Sequence, residues 1–172
     1  MTNGGTGPYK GALLLVNSGR GDTYPPSVVS VNPYPPYNST IMVDNYHGKD
    51  FNSLNDIRVH PNTGNIYFTD APYGFLQDFR PKLGLPNQVY MLDTKTGNLR
   101  VVADGFSKSN GLAFSPDGKT AYMYVYAAHP RLLMSEHDSP EQIVEQQRDS
   151  EAWTGLCLLQ CEPAHSRLRV YL

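Results

Sequence analysis

Through most of the first 123 residues, apolar and polar positions alternate with a period of two, and short clusters of Gly, Pro, Asn and Asp break the alternation. That pattern predicts strands joined by tight turns. Residues 11–17, 27–32, 40–44, 88–93 and 99–104 each read as a strand. Between Asn32 and Asn38, Pro33, Pro35 and Pro36 remove ladder donors, so this stretch reads as a rigid loop.

One part of the pattern recurs. Asn55-Asp56-Ile57-Arg58-Val59-His60-Pro61-Asn62-Thr63-Gly64-Asn65-Ile66-Tyr67-Phe68 returns 55 residues later as Asn110-Gly111-Leu112-Ala113-Phe114-Ser115-Pro116-Asp117-Gly118-Lys119-Thr120-Ala121-Tyr122-Met123. Each copy is a strand, a Pro/Asn/Asp/Gly turn and a second strand, which describes a β-hairpin used twice. A hairpin at this period describes a propeller blade, with two hairpins and hence four strands per repeat. The connection 70–87, with Pro72, Gly74, Pro81, Gly84 and Pro86, is long enough to cover one end of such a propeller. After Met123 the pattern stops. Ser139 as N-cap, Pro140 at the first helical position and Gln142 predict a helix over 140–152, whereas 153–172 carries apolar residues at 156–159 without an assignable period.

The expected fold is therefore all-β. Residues 1–123 form a partial β-propeller of about two to two and a half four-stranded blades, and 124–172 form a non-propeller tail that is helical or poorly ordered. At about 45 to 55 residues per blade this does not close a ring, so open sheet edges favour self-association or aggregation.

Composition narrows the function. A net charge of −2 over 172 residues, with no clustered Lys and Arg, argues against nucleic acid as a partner. No run is apolar enough to cross a bilayer and no leader is visible, so the chain is expected to be cytoplasmic by default with no membrane partner. Cys157 and Cys161, the two cysteines, cannot staple the repeat region.

The candidate chemistry starts with Asn55 and Asn110. Equivalent positions in successive blades face the same axis, and an amide carbonyl is a neutral, hard oxygen donor suited to Ca²⁺ and similar ions. The alternative is that both asparagines serve only in turns. His47, in the loop leading toward Asn55, is a candidate substrate contact. His60 precedes Pro61 at a hairpin turn and is expected to be exposed. Asp70 is expected to anchor the loop that follows it by hydrogen bonds rather than to act as a base. Ser53, Ser109 and Ser115 lack a Gly-x-Ser-x-Gly elbow, and there is no phosphate-cradling glycine loop.

The segments Asn52-Ser53-Leu54-Asn55-Asp56, Tyr67-Phe68-Thr69-Asp70-Ala71-Pro72-Tyr73-Gly74 and Ser109-Asn110-Gly111-Leu112-Ala113-Phe114-Ser115-Pro116-Asp117-Gly118-Lys119 resemble the senescence marker protein / gluconolactonase / luciferin-regenerating enzyme family. Within it, Asn17-Ser18-Gly19-Arg20-Gly21-Asp22 and Leu85-Pro86-Asn87-Gln88-Val89-Tyr90 are most similar to the fungal lactonohydrolases. The resemblance covers about residues 2–122.

It implies a six-bladed propeller that hydrolyses a sugar or aldonate lactone with one divalent cation, commonly Ca²⁺ and alternatively Zn²⁺ or Mn²⁺. By the same resemblance Asn55 and Asn110 would be metal ligands, and Tyr73 would lie in the loop near the substrate. The family's site also contains a glutamate from the first blade and an aspartate from a later blade, the latter its general base; no position here matches either. The expectation is a truncated fragment of a metal-dependent lactonohydrolase, inactive as this chain and weak in cation binding. A mis-predicted reading frame after Met123 would account for the tail. A non-enzymatic propeller-like binding module is the alternative.

Overall fold

The computed structural model describes residues 1–81, 84–127, 153–161 and 168–171. The alternating segments form three successive four-stranded antiparallel sheets. The first contains β1 (Thr2–Tyr9), β2 (Ala12–Asn17), β3 (Ser27–Val31) and β4 (Ser39–Val43) in that order. A two-stranded hairpin, β5 (Asn45–Tyr46) with β6 (Lys49–Asp50), leads to the second sheet. That sheet is the meander β7 (Leu54–Val59), β8 (Ile66–Asp70), β9 (Gln88–Leu92) and β10 (Leu99–Ala103), with a one-turn helix α1 (Tyr73–Leu76) between β8 and β9. The third sheet runs β11 (Lys108–Phe114), β12 (Thr120–Ala127), β13 (Trp153–Cys161) and β14 (Leu168–Tyr171).

Two sheets and the first half of a third thus come from residues 2–127, as the repeat predicts. The last two strands are not legible in the pattern. Trp153–Cys161 pairs along β12 from Ala127↔Trp153 to Thr120↔Gln160, so this part of the tail extends the third sheet. The helix expected over 140–152 lies outside the described residues.

The second sheet is buried on both faces, which is why β8 and β9 are almost continuously apolar. Alternate residues serve opposite cores. Ile66, Phe68, Tyr90 and Leu92 pack with Leu14, Val16 and Val28 of the first sheet. Tyr67, Val89 and Met91 pack with Leu112, Ala121, Met123 and Val125 of the third. Phe51, Phe68 and Tyr90 form an aromatic cluster with centroids 5.2 to 5.5 Å apart. Sheets stacked face to face through one shared middle sheet are the packing of neighbouring propeller blades.

The two repeated turns also meet. Each is closed by the same backbone bond, His60 N–H to Asn65 O and Ser115 N–H to Thr120 O, both at 2.8 Å. Asn62 Nδ2 donates to Asp117 O at 2.6 Å, and His60 Nε2 lies 3.0 Å from Gly118 O. The Asn62 and Thr63 backbone N–H groups donate to His60 Nδ1, so the ring carries its proton on Nε2 and donates it to Gly118. His60 is therefore buried, at 7% exposure, contrary to the expectation from its place before Pro61. The turn that would expose it is covered by its own repeat.

Gly118 sits at φ +71°, and a Cβ there would lie 2.8 Å from His60 Cε1 and from Asn62 Nδ2. Gly64 has a similar φ of +73° with open space around it. Gly64→Ala is expected to cost about 1 kcal/mol from backbone strain alone, and Gly118→Ala about 1 to 2 kcal/mol more because the turns must part. Urea midpoints of the two variants check this, and equal losses would show that the turn contact contributes nothing.

Candidate functional site

The first strand of each four-stranded sheet carries a pairing irregularity at an equivalent place. In β1 the register passes from Thr2↔Asn17 to Gly5↔Leu15, in β7 from Leu54↔Asp70 to Ile57↔Phe68, and in β11 from Ser109↔Val125 to Leu112↔Met123. Each time two residues on the first strand face one on its partner, which defines a β-bulge and re-aims the side chains at the bulge. The parity of the core requires it. Leu54 and Ile57 are separated by three positions yet belong to the same core, which an unbroken strand would forbid. The first bulged residue is asparagine in all three sheets: Asn3, Asn55 and Asn110.

The bulges lie against one another. A Cβ on Gly4 would meet Asn55 O at 2.5 Å and Asp56 Cα at 2.7 Å, so only glycine lets β1 approach β7 this closely. Asp56 bridges to the third sheet: its Oδ2 accepts Leu112 N–H at 2.8 Å, while Oδ1 accepts Ile57 N–H and pairs with Arg58 at 2.8 Å. Thr69, fully buried opposite the β7 bulge, accepts Asp56 N–H at 3.0 Å and donates to Asn110 O at 2.9 Å. Its hydroxyl thus satisfies backbone groups of two bulges together.

A cavity of about 640 Å³ opens beside these bulges, lined by Asn3, Ser18, Asn55, Tyr73, Lys108 and Asn110, with residues 76, 77 and 79 of the long connection as a further wall. Part of that connection, Tyr73 and residues 76, 77 and 79, borders the cavity. It is held by Gly21 N–H to Phe79 O at 2.7 Å and by the Arg80 guanidinium on Gly21 O, which ties it to the 17–22 motif.

Asn55 is buried at 9% exposure, and its amide has no hydrogen-bond partner among the described residues. Asn110 Nδ2 donates to the Tyr73 hydroxyl at 3.1 Å, which leaves its Oδ1 as the spare acceptor. The structure thus places Asn55, Asn110 and Tyr73 together. His47 is elsewhere, exposed in the β5–β6 turn with its ring 4.4 Å from that of Tyr46, and does not line this cavity.

As a metal site the donor set is hard but neutral. Two amide oxygens suit a Ca²⁺-like ion, and no carboxylate lines the cavity among the described residues. No group of three His, Cys, Asp or Glu side chains clusters among the described residues. The residues present fit half of an oxygen-donor site.

Asp70 lies behind this site. Its carboxylate accepts Asn52 N–H at 2.9 Å and Ser53 N–H at 2.8 Å, which holds the segment that enters β7, and the Ala71 N–H of the loop that leaves β8 also acts on it. Full burial pushes the carboxyl up to about 7, against the backbone N–H groups of Asn52, Ser53 and Ala71 and the charge of Arg80, which pull it down. Asn52 in turn clamps the far loop, accepting Gly84 N–H and Leu85 N–H and donating to Leu85 O at 2.7 Å. Within the 52–56 motif, then, Asn52 anchors a loop, Asn55 faces the cavity and Asp56 joins two sheets. Two of the serines take structural roles, Ser109 donating to Asp70 O at 3.0 Å and Ser115 to Asp117 Oδ1 at 2.7 Å, whereas the Ser53 hydroxyl is buried without a hydrogen-bond partner among the described residues.

Asn3 escapes a reading of hydrophobic pattern because β1, Thr-Asn-Gly-Gly-Thr-Gly-Pro-Tyr, has almost no apolar alternation. The Asn-Gly pair at 3–4, matching Asn110-Gly111, is the signal that would have found it.

The comparisons with known proteins bear on the family and the fold. The sequence profile of the SMP-30/gluconolactonase/LRE-like region matches residues 27–151, starting later and ending later than the motifs quoted above. A gluconolactonase of Zymomonas mobilis is 42% identical over 86 residues, covering 49% of this chain and 24% of its own length. The lactonohydrolase oryL of Aspergillus oryzae is 32% identical over 106 residues, covering 60% of this chain and 23% of its own length. The chain therefore spans about a quarter of these curated relatives. A solved gluconolactonase structure from Xanthomonas campestris superposes on 98% of this chain and 46% of its own, with TM-score 0.68 at 24% identity, which establishes the partial propeller fold. On the profile match, which takes in well over half of its residues, the chain belongs to the SMP-30/gluconolactonase/LRE-like family.

Proposed function

We propose that the chain carries part of a divalent-cation site for lactone hydrolysis, with Asn55 and Asn110 as its amide ligands. The observation that carries this is the equivalence of the two β-bulges, which bring two carbonyl-bearing side chains to one cavity with no competing acceptor duty on either oxygen. When bound, a Ca²⁺-like ion supplies a Lewis acid that polarises the lactone carbonyl. Tyr73 fixes the Asn110 amide, and residues 76, 77 and 79 of the 70–87 connection wall the cavity on one side. Relatives named gluconolactonase and lactonohydrolase support the substrate class.

The described cavity supplies no carboxylate, so it has neither a charged ligand nor a base to activate water. Two neutral amides hold a cation weakly. The purified chain is expected to give no Ca²⁺-stimulated hydrolysis of D-glucono-δ-lactone above the buffer rate, measured by acid release. Stimulated turnover lost in Asn110→Ala would overturn the inactivity and keep the site. Turnover indifferent to Asn55→Ala and Asn110→Ala would overturn the site itself.

A further inference from the structure

We infer that Asn3 is a substrate-positioning residue of the same cavity: its amide oxygen receives a hydrogen bond from a hydroxyl of the bound lactone or aldonate. This rests on the reading of the cavity given above. Asn3 occupies the first position of the β1 bulge, as Asn55 and Asn110 do in β7 and β11, and all three line one cavity. Gly4 lets the β1 bulge press on the Asn55–Asp56 backbone, so Asn3 stands next to Asn55 by construction. Its Nδ2 donates to Ser18 Oγ at 3.3 Å, and Ser18 is itself fixed by donating to Leu54 O at 2.7 Å. The amide is thus held with Oδ1 as the spare acceptor, which takes a hydroxyl donor and rejects a carboxylate.

Burial separates its role from those of its counterparts. Asn55 is buried, Asn110 half-buried and Asn3 exposed. A ligand that must strip water from an ion belongs at the buried positions, and a contact to an arriving polyhydroxy ring belongs at the open one.

The test is calorimetric titration of the full chain with Ca²⁺ and, in saturating Ca²⁺, with D-gluconate, for wild type, Asn3→Ala, Asn55→Ala and Asn110→Ala. Asn3→Ala is expected to keep the Ca²⁺ affinity and lose about five- to tenfold in gluconate affinity, the scale of one hydrogen bond. Asn3 is exposed, and an unchanged melting temperature confirms that the variant folds. Asn3→Ala that weakens Ca²⁺ as much as Asn110→Ala would make it a metal ligand and overturn the inference. Gluconate affinity unchanged in Asn3→Ala, with Asn55→Ala and Asn110→Ala still weakening Ca²⁺, would overturn the inference alone. A wild-type chain that binds neither would overturn both readings.

Discussion

Asp70→Asn is expected to destabilise the chain by about 2 to 4 kcal/mol at neutral pH, a large part of the stability of an ordinary domain. The two carboxylate oxygens each accept one buried backbone N–H, from Asn52 and Ser53. An asparagine keeps one acceptor and turns an NH₂ group toward the other donor, which leaves a buried N–H unpaired. The effect has a pH signature. Because the folded carboxyl is raised to about 7 from an ordinary 3.8, the native state holds the proton more tightly than the unfolded chain. The contribution from this group is fully present below about pH 4 and is lost as pH rises through 7, by up to about 4 kcal/mol for complete burial. Urea unfolding of wild type and variant at pH 4, 5.5, 7 and 8 checks the sign. The stability difference in favour of wild type should shrink with rising pH up to about 7 and then level off; a difference that is flat or grows over that range would show that the N–H donors and Arg80 outweigh desolvation.

Thr69→Val should cost about 2 to 5 kcal/mol although the two side chains have nearly the same shape. The methyl groups fill the same space, so the loss comes from one hydroxyl that serves Asp56 N–H and Asn110 O. Both groups are backbone atoms of bulges, with no ladder partner to return to, and each carries a desolvation cost of about 1 to 3 kcal/mol when left unpaired. Thr69→Ser keeps the hydroxyl and should lose only about 1 kcal/mol, the scale of one buried methyl. The pair is informative for the site as well as for stability. If the hydroxyl holds the bulges in place, Val at this position loosens Asn55 and Asn110 together, and cation affinity falls with stability in the Val variant and not in the Ser variant. Equal behaviour of the two variants would separate the bulges from Thr69.

The hairpins at 54–70 and 108–127 were readable because their inner and outer positions alternate and their turns carry Pro, Asn, Asp and Gly at fixed places. Asn55 and Asn110 were readable as a pair because the repeat aligns them. What aligned them in space, the bulge, leaves only an indirect trace: the three-residue step from Leu54 to Ile57 within one core, where a strand would step by two or four. Asn3 was hidden because close approach of β1 to β7 demands glycine, and glycine erases the hydrophobic pattern by which a strand is recognised. His60 read as exposed because a turn sequence reports its own hairpin and carries no sign that an equivalent turn covers it. In the same way 153–161 gave no period, since its strand is defined by pairing along the whole of β12. Local alternation and turn chemistry are written in adjacent residues, whereas sheet-to-sheet contacts join residues about 55 positions apart.

No helix among the described residues is long and apolar enough to cross a membrane, and the cavity, rather than a charged surface, is the feature that distinguishes this chain chemically. In the site proposed above, two equivalent amides from neighbouring sheets hold one divalent cation. Calorimetric titration of Ca²⁺ into wild type and into the Asn55→Ala/Asn110→Ala double variant tests this. Wild type is expected to give a weak, single-site isotherm that each single substitution weakens by about tenfold or more and that the double substitution abolishes. An isotherm retained unchanged by the double variant would rule the two-amide site out.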